Sequence, residues 1–187
     1  MKKIVLAFGR FNPPTIGHEK LIKACADTAA LENCDFAVYG SNSSDPKKNP
    51  LQPSDKLWFM QAMFPRYANN IFIDSEVLNP FQLLAKFNAE YDDVIFIAGS
   101  DRVTEYRTRF EKHMNGETAT FFYNSLVIKS SGERDADSEG ASGMSASKMR
   151  AAVKDNDVCS FRKGIPKTLS QADTLLLYNA VKEGMGL

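Results

Sequence analysis

Five short apolar runs, residues 4–8, 36–39, 71–73, 94–98 and 120–128, recur along the chain with longer stretches of helical periodicity between them. The runs are continuous rather than alternating, the pattern of a strand buried on both faces. Gly, Asn, Asp and Ser bound most of them, as turn chemistry requires. Residues 17–30, 54–64, 80–90 and 101–114 place apolar side chains on one helical face, with Ser54 positioned to cap the second stretch. Such a strand-helix alternation predicts an α/β fold, with a mainly parallel sheet of about five strands, helices on both faces and ligands at the carboxyl ends of the strands.

Composition narrows the function classes. The chain has 187 residues, 43% hydrophobic and 25% charged, with a formal net charge of zero. That describes a single domain over residues 1–187, in which 155–187 form a C-terminal helical extension. Without a basic excess, nucleic acid is not an expected partner. The opening "MKKIVLAFGRF" has an apolar run of only about five residues, too short for a signal-peptide core or a membrane span, so a cytoplasmic protein is expected. Cys25, Cys34 and Cys159 lack metal-type spacing, and His18 and His113 cannot complete a Cys/His site. They read as reduced, ordinary thiols, and no protein metal site is expected.

The stretch "FGRFNPPTIGH", residues 8–18, lies where the first strand hands over to the first helix. Gly9 permits close approach of a ligand to the backbone, Pro13 and Pro14 stiffen the connection, and a helix starting near Gly17 aims its N–H groups at the same edge. An anion fits there. Neither GxxxxGK[ST] nor GxGxxG occurs, which removes support for ordinary kinases and dehydrogenases. Thr15 and His18, three apart, can point a hydroxyl and an imidazole at one oxygen cluster.

These residues resemble the (H/T)xGH signature of the nucleotidyltransferase superfamily, whose members include nicotinamide mononucleotide and pantetheine-phosphate adenylyltransferases and several cytidylyltransferases. A second signature, ISSTxIR, is matched late in the chain by "MSASKMR", residues 144–150. The resemblance covers residues 2–155 and implies a Rossmann-like sheet and transfer of AMP from ATP, or of CMP from CTP, to a small phosphorylated acceptor. It implies Mg²⁺ bound through the nucleotide phosphates. His18 would donate to the α-phosphate, with Thr15 in the place of the first histidine of the motif. Gly9, Arg10, Phe11 and Gly17 would line the nucleotide site. Ser145 and Ser147 would start a helix facing the triphosphate, while Lys148 and Arg150 supply charge; Arg150 can grip phosphate through two parallel hydrogen bonds. Met144 and Ala146 depart from the signature, and Ala146 removes one hydroxyl.

"DPKKNPLQPSDK" resembles the pantetheine-phosphate adenylyltransferase loop whose lysine reaches the phosphates, with Lys48 the better match and Lys47 the alternative. "FIAGSDR" resembles the glycine-x-aspartate turn of nicotinamide mononucleotide adenylyltransferases, placing Gly99 and Asp101 near a ribose or base. Trp58 is expected in the core. The polar residues 129–143 read as a loop, either a lid over the triphosphate or a surface insertion. Nicotinamide mononucleotide is the first choice of acceptor. Phosphopantetheine, a CTP-dependent reaction and an inactive nucleotide-binding module are the alternatives, and a homo-oligomer stays open. No membrane contact is expected.

Overall fold

A computed structural model describes residues 1–114, 118–132 and 144–187. Five strands, β1 (Lys3–Gly9), β2 (Asp35–Gly40), β3 (Ile71–Ile73), β4 (Asp93–Ala98) and β5 (Ser125–Ser130), form one sheet in the order β3-β2-β1-β4-β5, every pair parallel. The register runs Leu6 opposite Ala37 on one side of β1 and opposite Phe96 on the other. Helices α1 (His18–Glu32), α2 (Pro53–Met63), α3 (Pro80–Phe87), α4 (Val103–Glu111), α5 (Ala146–Lys154), α6 (Val158–Arg162) and α7 (Gln171–Gly184) surround it.

The continuous apolar strands are explained by two cores. Val5 and Ala7 of β1 face one way, into a cluster with Ile22 and Cys25 of α1, Met60 of α2, Met149 of α5 and Leu177 of α7. Ile4 and Leu6 face the other way, against Leu83 and Leu84 of α3 and Phe110 of α4. The 155–187 segment is built into the first core, with Phe161, Leu177 and Val181 at 0% exposure. Thr168 Oγ1 also donates to the Met63 carbonyl at 2.5 Å. No helix among the described residues is long and apolar enough to cross a membrane.

Several element bounds differ from the sequence reading. The second helix has Gln52, without a side-chain capping bond, at its N-cap position rather than Ser54, because Pro53 at its first position sets the helical φ in advance. The first helix begins at His18, with Gly17 as its N-cap residue. A 3₁₀ turn, Ser100–Arg102, precedes α4. The last strand starts at Ser125, not 120: Phe121 makes only an isolated bridge to Met114, and Phe121 and Tyr123 turn into the core before pairing begins. It then runs through Lys129 and Ser130, two residues into the expected loop, and residues 133–143 of that loop lie outside the described residues. Helix α6 and a 3₁₀ helix over Pro65–Asn70 are additional. Trp58, expected in the core, is 49% exposed, its indole set edge-on against Phe59 at 4.9 Å. All three cysteines are free thiols.

Candidate active site

Strand order reverses at β1, which pairs with β2 on one side and β4 on the other. In such sheets the crevice beyond the carboxyl ends of the strands at this switch point is where ligands bind. A cleft of about 680 Å³ opens there, lined from the end of β1, the start of α1, the turn after β4, the residues after β5 and the start of α5. Among its described lining residues are five cationic side chains, Arg10, Lys20, Lys48, Arg102 and Arg150, and one carboxylate, Asp101. In a chain of zero net charge, that concentration of positive charge suits a polyanion.

His18 stands at the first position of α1. Its Nδ1 accepts the Thr15 backbone N–H at 2.9 Å, with the Thr15 hydroxyl oxygen at 3.3 Å. A backbone N–H can only donate, so in the neutral ring the proton is on Nε2. Phe11 packs its ring edge-on to the imidazole, centroids 4.9 Å apart. Thr15 itself is 1% exposed. Its backbone N–H orients His18 from beneath, and the residue also lines the cleft.

The backbone around this histidine is tightly shaped. The Asn12–Pro13 peptide is cis and Phe11 adopts φ 48°. A Cβ on Gly9 would lie 2.7 Å from the Phe11 ring. A side chain at position 9 would thus have to displace the Phe11 ring, and Gly9 itself lines the cleft, where the sequence suggested close approach of a ligand. At Gly99 a Cβ would lie 2.7 Å from Asp101 Oδ1, so the turn after β4 brings that carboxylate back over its own backbone.

Arg150 joins the two signatures. One guanidinium nitrogen donates to the Asn12 carbonyl at 2.6 Å and the other to Ser147 Oγ at 3.2 Å. Burial and the neighbouring charge of Arg10 hold its pKa below the usual arginine value, with Asp45 acting in the opposite sense. Two guanidiniums near each other at a cleft wall are relieved by an anion between them. Ser145 caps α5, its hydroxyl accepting the Lys148 N–H at 3.2 Å. Lys148 is exposed and is not among the cleft-lining residues, whereas Ser145, Ser147 and Arg150 are.

Lys48 lines the cleft and Lys47 does not. Asp45 stiffens their loop by accepting the Lys48 N–H at 2.7 Å and the Lys47 N–H at 3.0 Å; these bonds and the Asn49 amide keep its carboxyl below its ordinary pKa. The structure also brings Lys20, Arg102, Tyr106 and the buried Asn12 to the cleft, and buries Lys56 against Ser41. Sequence reasoning singled out none of these five. Asn12 sat in plain view inside the opening motif, but an amide there carries no chemical signal. Among the described residues, no group of three or more His, Cys, Asp or Glu is placed to hold a metal ion.

Residues 6–151 match the family described as Cytidylyltransferase-like. No protein with curated function matches the chain by sequence. Among solved structures, the chain is similar to a nicotinic acid mononucleotide adenylyltransferase from Plasmodium falciparum complexed with NaAD, at 18% identity and TM-score 0.61, covering 97% of this chain and 98% of that one. It is also similar to a putative nicotinate-nucleotide adenylyltransferase from Vibrio parahaemolyticus, at 18% identity and TM-score 0.56, covering 95% and 99%.

Proposed function

Because the chain belongs to the cytidylyltransferase-like family of nucleotidyltransferases, we propose that it transfers AMP from ATP to a pyridine mononucleotide, nicotinamide mononucleotide first, forming the dinucleotide and pyrophosphate. The observation that carries this reading is the pairing of a tautomer-fixed His18 with Arg10, Lys48 and Arg150 along one cleft. The similarity to an adenylyltransferase complexed with NaAD supports the choice of a pyridine acceptor.

An oxygen of the acceptor phosphate attacks the α-phosphorus in line. A new P–O bond forms, the bond to the α,β-bridging oxygen breaks, and pyrophosphate leaves with that electron pair. No enzyme nucleophile is needed, so the work is positioning and charge stabilisation. His18 Nε2–H donates to an α-phosphate oxygen as charge builds there. Arg150 and Arg10 take the triphosphate, and Lys48 reaches it from the facing loop. Asp101 and Gly99 stand at the β4 turn, beside a ribose or base.

The donor set of hydroxyls, amides and cations suits a triphosphate that brings its own Mg²⁺. When bound, that ion would neutralise phosphate charge, with the triphosphate rather than a protein carboxylate cage holding it.

The test is an acceptor panel. Purified protein with ATP or CTP, Mg²⁺ and each of nicotinamide mononucleotide, nicotinic acid mononucleotide, phosphopantetheine and glycerol phosphate is assayed for pyrophosphate. Release with ATP and a pyridine mononucleotide is expected. Release only with CTP, or only with a non-pyridine acceptor, moves the assignment within the family, and release with none refutes it.

A further inference from the structure

Lys48 is an exposed side chain on an exposed loop, yet it is the member of the Lys47-Lys48 pair that meets the cleft. What fixes that choice lies at the two ends of the loop, residues 41–51, each gripped by a buried polar side chain.

At the first end is Lys56. It belongs to α2, is 0% exposed, and donates its amine to the Ser41 carbonyl and, at 3.2 Å, to Ser41 Oγ. Ser41 also donates its N–H to the Gly9 carbonyl at 2.8 Å, so this end of the loop is tied to the last residue of β1. Its hydroxyl stands 2.9 Å from Ser43 Oγ, which extends the network one turn into the loop.

At the far end is Asn12, 1% exposed. Its Oδ1 accepts the Leu51 N–H at 2.9 Å and its Nδ2 donates to the Leu51 carbonyl at 3.3 Å. The side chain therefore holds both polar groups of one residue, as a paired strand would. The same residue's carbonyl receives Arg150 at 2.6 Å. Between the clamps, Asp45 and Asn49 close the loop on itself through reciprocal backbone bonds of 2.8 and 3.1 Å.

Burying an amine against a carbonyl and a hydroxyl is costly compared with an apolar side chain of the same length, which would fill the space without desolvation. The energetic balance alone would favour methionine at position 56. We propose that Lys56 and Asn12 are positioning residues: they pin the two ends of the 41–51 loop so that Lys48 overhangs the triphosphate, and Asn12 sets Arg150 opposite it. This rests on reading the cleft as a triphosphate site.

The experiment is a double-mutant cycle read by binding of inorganic tripolyphosphate, measured by calorimetry, together with hydrogen exchange of the loop amides. Lys56→Met and Asn12→Ala are each combined with Lys48→Ala. Each clamp variant is expected to raise exchange in residues 42–50 selectively. In its background the affinity loss caused by Lys48→Ala should be at least about threefold smaller than in the parent, as coupled residues require. Lys56→Arg, which keeps the donors, should recover part of both signals. If a clamp variant does not fold, Ser41→Ala and Asn12→Asp, each removing one partner only, give the same pair of readouts. Penalties that multiply independently, with loop exchange unchanged, overturn the proposal. A parent that binds no tripolyphosphate overturns instead the triphosphate reading on which it rests, so the two failures are told apart.

Discussion

Lys56 also makes a quantitative prediction about stability. Burial pushes its pKa from an ordinary 10.5 down to about 8 in the folded chain. In the unfolded chain it returns to the ordinary value, so between those two values the unfolded state binds more protons and stability from this group rises with pH. Below pH 8 the amine is charged in both states and its desolvation cost is fully present. Above 10.5 it is neutral in both and the cost is gone. Integrating between pH 7 and pH 10 gives a gain of roughly 2.5 kcal/mol. Other groups titrate in this range, so the perturbation is Lys56→Met, which removes this one and leaves the rest. Denaturant unfolding of parent and variant at pH 7, 8, 9 and 10 should show the parent gaining on the variant by about that amount, most of it above pH 8. A parent-minus-variant difference that stays flat, or that falls with rising pH, would refute the view of Lys56 as a desolvated amine held by Ser41.

Three other outcomes follow from the geometry. Gly184→Ala should cost about 1–3 kcal/mol, seen as a lowered Tm, because its Cβ would fall 1.9 Å from the Pro50 carbonyl oxygen and the backbone of α7 or of the loop must shift. Arg150→Lys should fold normally but lose about tenfold or more in kcat/KM, since an ammonium cannot keep the contacts to Asn12 and Ser147 while gripping phosphate. Calorimetry without nucleotide should detect no submicromolar Mg²⁺ site, and one would contradict delivery of the ion by the triphosphate.

The strand order was not written in the sequence, but its consequence was. Runs such as Val5 to Ala7 are apolar at every position because successive side chains enter different cores, and only a sheet covered on both faces uses them that way. His18 and Arg150 were legible because their motifs join a reactive group to a turn or helix start. Thr15 was visible as a hydroxyl three residues before His18, but the bond from its backbone N–H that orients the ring, at 2.9 Å, was not. Lys56 was not singled out, since its helix is mixed in polarity, and only its tertiary place beneath Ser41 reveals it. The start of β5 was misjudged for a similar reason. Phe121 and Tyr123 are apolar because they fill the core behind α3 and α4, without pairing as strand. Trp58 erred in the opposite direction, its helical spacing suggesting a buried face that the fold leaves half open.

The most direct measurement of the central claim follows the α-phosphorus itself. Parent and His18→Ala are incubated with α-labelled ATP, Mg²⁺ and nicotinamide or nicotinic acid mononucleotide, and the labelled products are separated. The account predicts that the parent moves the label into the dinucleotide in equal amount with unlabelled pyrophosphate, and that loss of the Nε2–H donor lowers kcat by on the order of 10²-fold with folding intact. Label remaining in ATP with every acceptor, or equal turnover by His18→Ala, would contradict it.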